Sequence, residues 1–363
     1  MMLQFSTHLA KMGISAIATS LCFVYPALAA QVPLTQPPLE RPNSAIARIL
    51  SGHAAVAISP NGKLVAGVSQ DKQIKLWNSQ TQREILALAG HPLPILAIAF
   101  SPDGRILVSA SHDKTIKLWS VSTGQLLQTL AEHTDWVEAI AFSPNGQLLV
   151  SGGGDKTIRV WRVASGGQKF KLAQTLMGHQ DSIYALAISA NGQTLASSSW
   201  DVIKLWQLSN GQTARTLSDN AFGINALAFS VDGQTLVSGN GDRTIKVWNL
   251  TTGQVRQTLT DHQAAITSLI LSRNGQTLIS GSSDNTIKLW QLATGKLTQT
   301  LPRQSSSIEA IALSPNGQTL ASGSWGDIIK LWDLSTGRDV TLSEPNLQEQ
   351  RQVLATRTQE RTN

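Results

Sequence analysis

The sequence predicts an all-β fold, a closed ring of seven four-stranded antiparallel units, and three observations carry that prediction. A short run ending in tryptophan (QIKLW, TIKLW, TIRVW, VIKLW, TIKVW, TIKLW, IIKLW) occurs seven times, its last residues being Trp77, Trp119, Trp161, Trp206, Trp248, Trp290 and Trp332. Successive tryptophans stand 42 residues apart, except for 45 between the third and the fourth. Runs such as AIAF and LLVS are apolar at consecutive positions, so neither face of the sheet they build meets water. A period of about 40–45 residues holding four strands is that of a β-propeller blade. A lone unit could not bury both faces, and an open stack would leave two ends exposed; a ring leaves none.

Residues 133–174 show one unit. HTDWVEAIAFS holds the first strand, PNG turns it, and QLLVSGG is the second. GD makes a tight turn into KTIRVWRV, and ASGG leads to QKFKLAQTL, the fourth. The S-P-N-G or S-P-D-G turn recurs at Ser59, Ser101, Ser143 and Ser314, with looser versions at Ser189, Ser230 and Ser272. Proline presets φ early in such a turn, and glycine supplies the positive φ that closes it. In the last unit, DLSTGRDVTLSE after Trp332 is poor strand material, whereas AIARILSGH, from Ala45 to His53, reads as a fourth strand with no preceding three. The expectation is that this N-terminal strand pairs into the last blade and closes the ring.

Four segments follow: 1–30 a signal peptide, 31–44 a Pro-rich linker, 45–337 the seven-bladed ring, and 338–363 a polar C-terminal tail. The first 30 residues carry Lys11 and no acid, then an apolar stretch and the Ala27-Leu28-Ala29 cleavage pattern. The apolar run falls short of the roughly 20 residues of a membrane span. Cys22, the only cysteine, lies within it and is preceded by Leu21, which disfavours lipidation. The expected mature chain begins at Ala30 or Gln31, is exported to a periplasm or beyond, lacks disulfide and thiolate chemistry, and has no membrane span.

Basic residues number 29 and acidic ones 23, and removing Lys11 leaves a net charge of about +5. Seven of the bases (Lys75, Lys117, Arg159, Lys204, Lys246, Lys288 and Lys330) occupy one repeat position, which spreads them round the ring and argues against nucleic-acid binding.

Spacing, turns, G-H dipeptides and strand-end tryptophans together make residues 45–337 resemble the WD-repeat β-propeller family. The residue after each tryptophan departs from the family name in all blades except the last, where Asp333 keeps it. The resemblance implies a buried His–Ser–Asp–Trp hydrogen-bond network in each blade. It falls on His91, Ser109 (or Ser111), Asp113 and Trp119 in the second blade, and on His133, Ser151, Asp155 and Trp161 in the third. In the sixth it falls on His262, Ser280, Asp284 and Trp290. Serine, histidine and aspartate repeated blade after blade are fold, not a hydrolase triad. Asn220 replaces the histidine of the fifth blade, and Gln304, with Gly326 near the Asp position, weakens the seventh. The chain gains four residues near GGQKF, loses one before Val202, and lacks four after His53.

By the same resemblance, the residue before each network Asp faces one rim: Gln70, His112, Gly154, Trp200, Gly241 and Ser283, with Trp325 matching in the last blade. Trp200 and Trp325 lie outside the seven-fold register, and Trp136 is a third irregular tryptophan near Asp135. Glu138, Tyr184, Asn225 and Glu309 share one further position. Rim aromatics are the residue types of interaction hot spots. The binding candidates are therefore Trp136, Glu138, Tyr184, Trp200, Trp325, His112 and Glu309. No metal constellation and no cofactor motif is found. The reading is a monomeric, non-enzymatic, exported scaffold that binds a protein or peptide through one rim. The alternative is a propeller that binds envelope glycans by stacking on rim tryptophans, with a propeller enzyme as outsider.

Overall fold

The structure, a computed structural model, describes residues 55–69, 71–164, 169–218, 223–324 and 328–342. These hold 28 strands, β1–β28, and no helix. They form seven separate four-stranded sheets, each of four consecutive antiparallel strands. Blade 1 consists of β1 (Val56–Ile58), β2 (Leu64–Val68), β3 (Ile74–Asn78) and β4 (Glu84–Leu88). Blades 2 to 6 occupy Ile95–Leu130, Val137–Leu176, Ala185–Leu217, Ile224–Leu259 and Ile266–Thr300. Blade 7 consists of β25 (Ile308–Leu313), β26 (Thr319–Ser324), β27 (Ile328–Asp333) and β28 (Arg338–Thr341).

First strands touch one another all the way round, β25 meeting β1, and so line the inside of the ring. Each blade's tryptophan is buried against the preceding blade. Trp161 lies among Val108, Ile116 and Leu118 of blade 2, and Trp77 lies with Ala321, Ile329 and Leu331 of blade 7. Second strands such as Ile106–Ser111 are buried at every position, because neighbouring blades cover both faces. That is why they carry no polar alternation.

The expected closure is corrected. The fourth strand of blade 7 is β28, paired antiparallel to β27 with Lys330 opposite Thr341 and Asp333 opposite Arg338. The ring strand thus extends past 337 into the segment assigned to the tail. Residues 45–50, which the sequence nominated for that place, lie outside the described residues. RDVT has the weaker strand propensity, but it follows β27 through a short turn with Gly337 at φ 68°, and local connection decides the pairing. It pairs in straight register, whereas fourth strands elsewhere show a register shift beside the tryptophan, as between Leu118 and Trp119.

Turns between first and second strands and between third and fourth strands share one rim, called here the turn rim. On it the S-P-N-G turns abut in series. A Cβ on Gly104 would stand 3.5 Å from Pro60 Cδ, one on Gly146 3.6 Å from Pro102, and one on Gly62 3.6 Å from Pro315, which closes the circle. Ala190 and Arg273 replace the proline ahead of Gly233 and Gly317, and a Cβ on either glycine would meet nothing within 4 Å. The opposite rim, the loop rim, carries the second-to-third-strand loops and the inter-blade connections.

Candidate functional site

The loop rim is built on the hydrogen-bond networks beneath it. In blade 3, His133 Nδ1 lies 2.8 Å from Asp155 Oδ2 and Nε2 lies 2.8 Å from Ser151 Oγ, which also accepts the Trp161 indole N–H at 2.9 Å. With the Nδ1 proton directed at the carboxylate, Nε2 accepts the serine hydroxyl, and every polar atom of the chain is used. Burial opposes ionisation of Asp155, but hydrogen bonds from His133 and Thr157 outweigh it and hold the carboxyl well below the usual range. Blade 6 repeats this with His262, Ser280, Asp284 and Trp290, and burial of Asp284 is likewise overcome by His262 and Thr286. Blade 2 uses His91, Asp113 and Trp119 with Ser109; Ser111 instead donates to the Pro94 carbonyl at 2.8 Å.

Other blades depart further than the sequence reading foresaw. In blade 4, His179 Nε2 reaches Ser197 Oγ at 2.7 Å and Trp206 donates to the same oxygen, but Nδ1 is buried without a partner. The loop is one residue short, with Ser199 N–H donating to Val202 O, and the aspartate it contains, Asp201, is exposed. Burial and the nearby Lys204 push His179 down to about 4. The missing residue before Val202 was visible, and loss of the network aspartate is its consequence. In blade 1, Gly67 stands where serine should be, Ile329 fills the space, and the Trp77 indole N–H has no partner among the described residues. In blade 7, Gln304 substitutes for histidine better than expected: its Nε2 donates to Ser322 Oγ and its Oε1 accepts from Ser324 Oγ, each at 3.0 Å.

Two rim candidates come together. The His112 and Trp136 rings stack with centroids 5.4 Å apart at 23°. Trp136 lies flat over Gly154, where a Cβ would fall 2.8 Å from two indole ring atoms, and its main-chain carbonyl accepts the Gly154 N–H at 2.9 Å. Trp136 thus lies across the seam of blades 2 and 3. Trp200 is half-buried in the shortened loop of blade 4, and its carbonyl accepts the Gly223 N–H of blade 5 at 2.7 Å. Tyr184 is 9% exposed, while Glu138 and Glu309 are half-buried. Trp325, Gln70, Asn220 and Gly326 lie outside the described residues, as does residue 53. The position shared by Glu138 has a structural use elsewhere: Asn225 Nδ2 donates to Ile266 O at 3.0 Å and Thr267 Oγ1 to Ile308 O at 2.6 Å, each to the next blade.

Family models cover the ring almost from end to end. Residues 94–249 match the model described as IFT122 first beta-propeller, and residues 45–78, 253–291 and 295–333 match the WD domain, G-beta repeat. The chain belongs to the WD-repeat β-propeller family. A search of curated proteins finds no match. Propellers of the WD-repeat family are typically protein-interaction scaffolds and generally non-catalytic. Among the described residues of this WD-repeat propeller, no group of three or more His, Cys, Asp or Glu could hold a metal.

Sequence reasoning missed the staples between blades of this propeller. Lys72, Lys114 and Lys156 hold positive φ of 61°, 70° and 64° in the second-to-third-strand loops. Each donates its ammonium to a carbonyl just after the network position of the next blade, at Pro92, Thr134 and Gln180, over 2.9, 3.0 and 2.9 Å. Towards the outside, the Gln128 amide makes two 2.8 Å bonds to the Phe170 backbone. The repeated D-K pair, Asp71-Lys72, Asp113-Lys114 and Asp155-Lys156, was the available signal for the lysines; nothing local marked Gln128.

Proposed function

We propose that the chain is an exported, non-catalytic scaffold that holds a protein segment on its loop rim, with the seam at Trp200 as the principal contact. The observation that carries this reading is the loop of blade 4. There the chain gives up the aspartate that completes the networks of blades 2, 3 and 6, leaves His179 Nδ1 buried without a partner, and places a tryptophan in the shortened loop instead. A departure from the repeat that lowers stability and presents an aromatic at a rim is the pattern of a site kept for binding. Export rests on residues 1–30, which lie outside the described residues, and on the charge pattern set out above.

The test pairs folding with binding. Trp200→Ala is expected to keep a melting curve within about 0.5 kcal/mol of the parent protein and to lose the peptides that the parent selects from a display library. Trp206→Ala, six residues on, is the control and is expected to cost roughly 3–5 kcal/mol. An unfolded Trp200 variant, or one selecting the same peptides with equal strength, ends the proposal. A glycan array probed with the same variants separates the carbohydrate reading, which the covered face of Trp136 makes the weaker one. N-terminal sequencing of the protein recovered from outside the cytoplasm tests export, and a chain still beginning at Met1 or Met2 overturns it.

A further inference from the structure

The charges of the ring are sorted between its two rims. On the turn rim, Lys63, Arg105 and Arg273 flank first-to-second-strand turns, and Arg83, Lys296 and Arg338 sit at the start of fourth strands. Blade 3 adds Arg162 and Lys169 at its third-to-fourth-strand connection. All eight are exposed, and none forms an ion pair among the described residues. The acids at the same places are Asp103, Asp232 and Asp333 in the described loops, where Asp103 attracts Arg105, and Glu84 and Asp339 at the start of fourth strands, ion-paired with Lys75 and Lys330. The loop rim reverses the balance. Its described loops carry the exposed or half-buried acids Asp71, Glu132, Asp135, Asp181, Asp201 and Asp261, besides the network aspartates, against Lys72, Lys114, Lys156, Arg243 and Arg303. The three lysines bond to neighbouring carbonyls and keep their charge, and Asp261 is paired with Lys288.

The turn rim also has an apolar recess. Between blades 1 and 2 a groove of about 580 Å³ is walled by Leu64, Ile85, Val121 and Leu127, with Arg105 at its lip. Ile85 in its wall is 56% exposed. Lys63 adjoins Leu64 in sequence, and Arg83 stands two residues before Ile85, the intervening Glu84 being paired with Lys75.

We infer that the turn rim docks on an anionic lipid bilayer, which leaves the acidic loop rim facing away from the membrane. The bases extend over blades 6, 7, 1, 2 and 3, so a planar anionic surface engages all of them together, while a linear acidic peptide reaches those of only two or three blades. Each basic side chain brought to such a surface strengthens binding about fivefold. The described turn-rim loops expose no Trp, Tyr or Phe on which nucleic-acid bases could stack. The apolar groove framed by bases matches a molecule whose anionic head adjoins hydrocarbon. Peripheral binding of this kind needs no spanning helix, and none occurs among the described residues.

The experiment is flotation of the full chain with vesicles of pure phosphatidylcholine and with vesicles containing about one third phosphatidylglycerol, at low and high salt. Binding is expected only to the anionic vesicles and is expected to fall steeply as salt shortens the screening length. The double variant Lys63→Gln, Arg105→Gln should bind about 25-fold more weakly. Arg243→Gln, Arg303→Gln removes the same charge from the loop rim and should bind within about twofold of the parent. The inference fails if the parent ignores anionic vesicles or binds neutral ones equally. It fails too if both double variants weaken alike, which would assign binding to net charge or to the N-terminal segment. Soluble polyglutamate or single-stranded DNA binding as tightly, with the same dependence on Lys63 and Arg105, would reassign the face to those partners.

Discussion

His179 should make blade 4 the acid-sensitive part of the ring, and the size of the effect can be worked out. Burial, with Lys204 second, takes the imidazole from an ordinary value near 6.5 to about 4. A histidine whose folded value is depressed binds fewer protons folded than unfolded between those two values. Its neutral form therefore carries full stability above pH 6.5, and stability falls as pH drops towards 4. Integrating between the two values gives a loss of about 2 kcal/mol by pH 5 and about 3 kcal/mol by pH 4. The perturbation is His179→Gln, because blade 7 already contains the answer: Gln304 bonds Ser322 and Ser324, and blade 4 has Ser197 and Ser199 at the matching positions, both buried. The variant should match the parent at pH 7.5 and exceed it at pH 5 by about 2 kcal/mol, or about 3 °C in melting temperature for a ring of this size. Urea melts at pH 7.5, 6 and 5, followed by tryptophan fluorescence, measure the difference, and the other histidines cancel in it. A gap between variant and parent that stays constant across this range would refute the reasoning, since no other group is altered.

Gln82 sits at φ 59° where glycine occupies the matching turns of blades 2 and 5, and Gln82→Gly should stabilise the protein by about 0.5–1 kcal/mol in chemical denaturation. His133→Ala removes a partner from both Ser151 and Asp155 and should cost about 1–3 kcal/mol. Gln304→Ala should cost a similar amount, because two buried serines lose their partner; near-neutrality at Gln304 would show that the blade 7 bonds add nothing. Deleting residues 338–342 removes β28, bares the edge of β27, and should aggregate the protein or broaden its unfolding, as light scattering during a melt would show.

The ring and its blade number were legible because each blade repeats its tryptophan at a fixed spacing, and burying both faces admits few other arrangements. The networks of blades 2, 3 and 6 were legible down to the residue, since each member comes from a fixed register. Blade 1 was harder: that Gly67 leaves Trp77 without a partner depends on Ile329, more than 200 residues away. Closure was misread because strand propensity favoured AIARIL over RDVT, whereas proximity along the chain decided it. The sorting of bases was hidden for another reason. Lys63 and Arg338 are unrelated in sequence, and only the alternation of strand direction places both on one rim. Stacking of His112 on Trp136 joins two blades and left no mark in either segment.

Blade 7 is made of four consecutive strands, and among the described residues no strand is shared between blades. The junction between blades 7 and 1 is then one side-chain interface among seven, formed by Val56, Val65 and Trp77 against Ile329 and Leu331. Such a ring has no topological beginning. Joining the end of β28 to the start of β1 and opening the chain between any two other blades would leave every sheet intact. Circularly permuted versions should therefore fold to the same ring, and a blade's place in the sequence carries no information about its place in the circle.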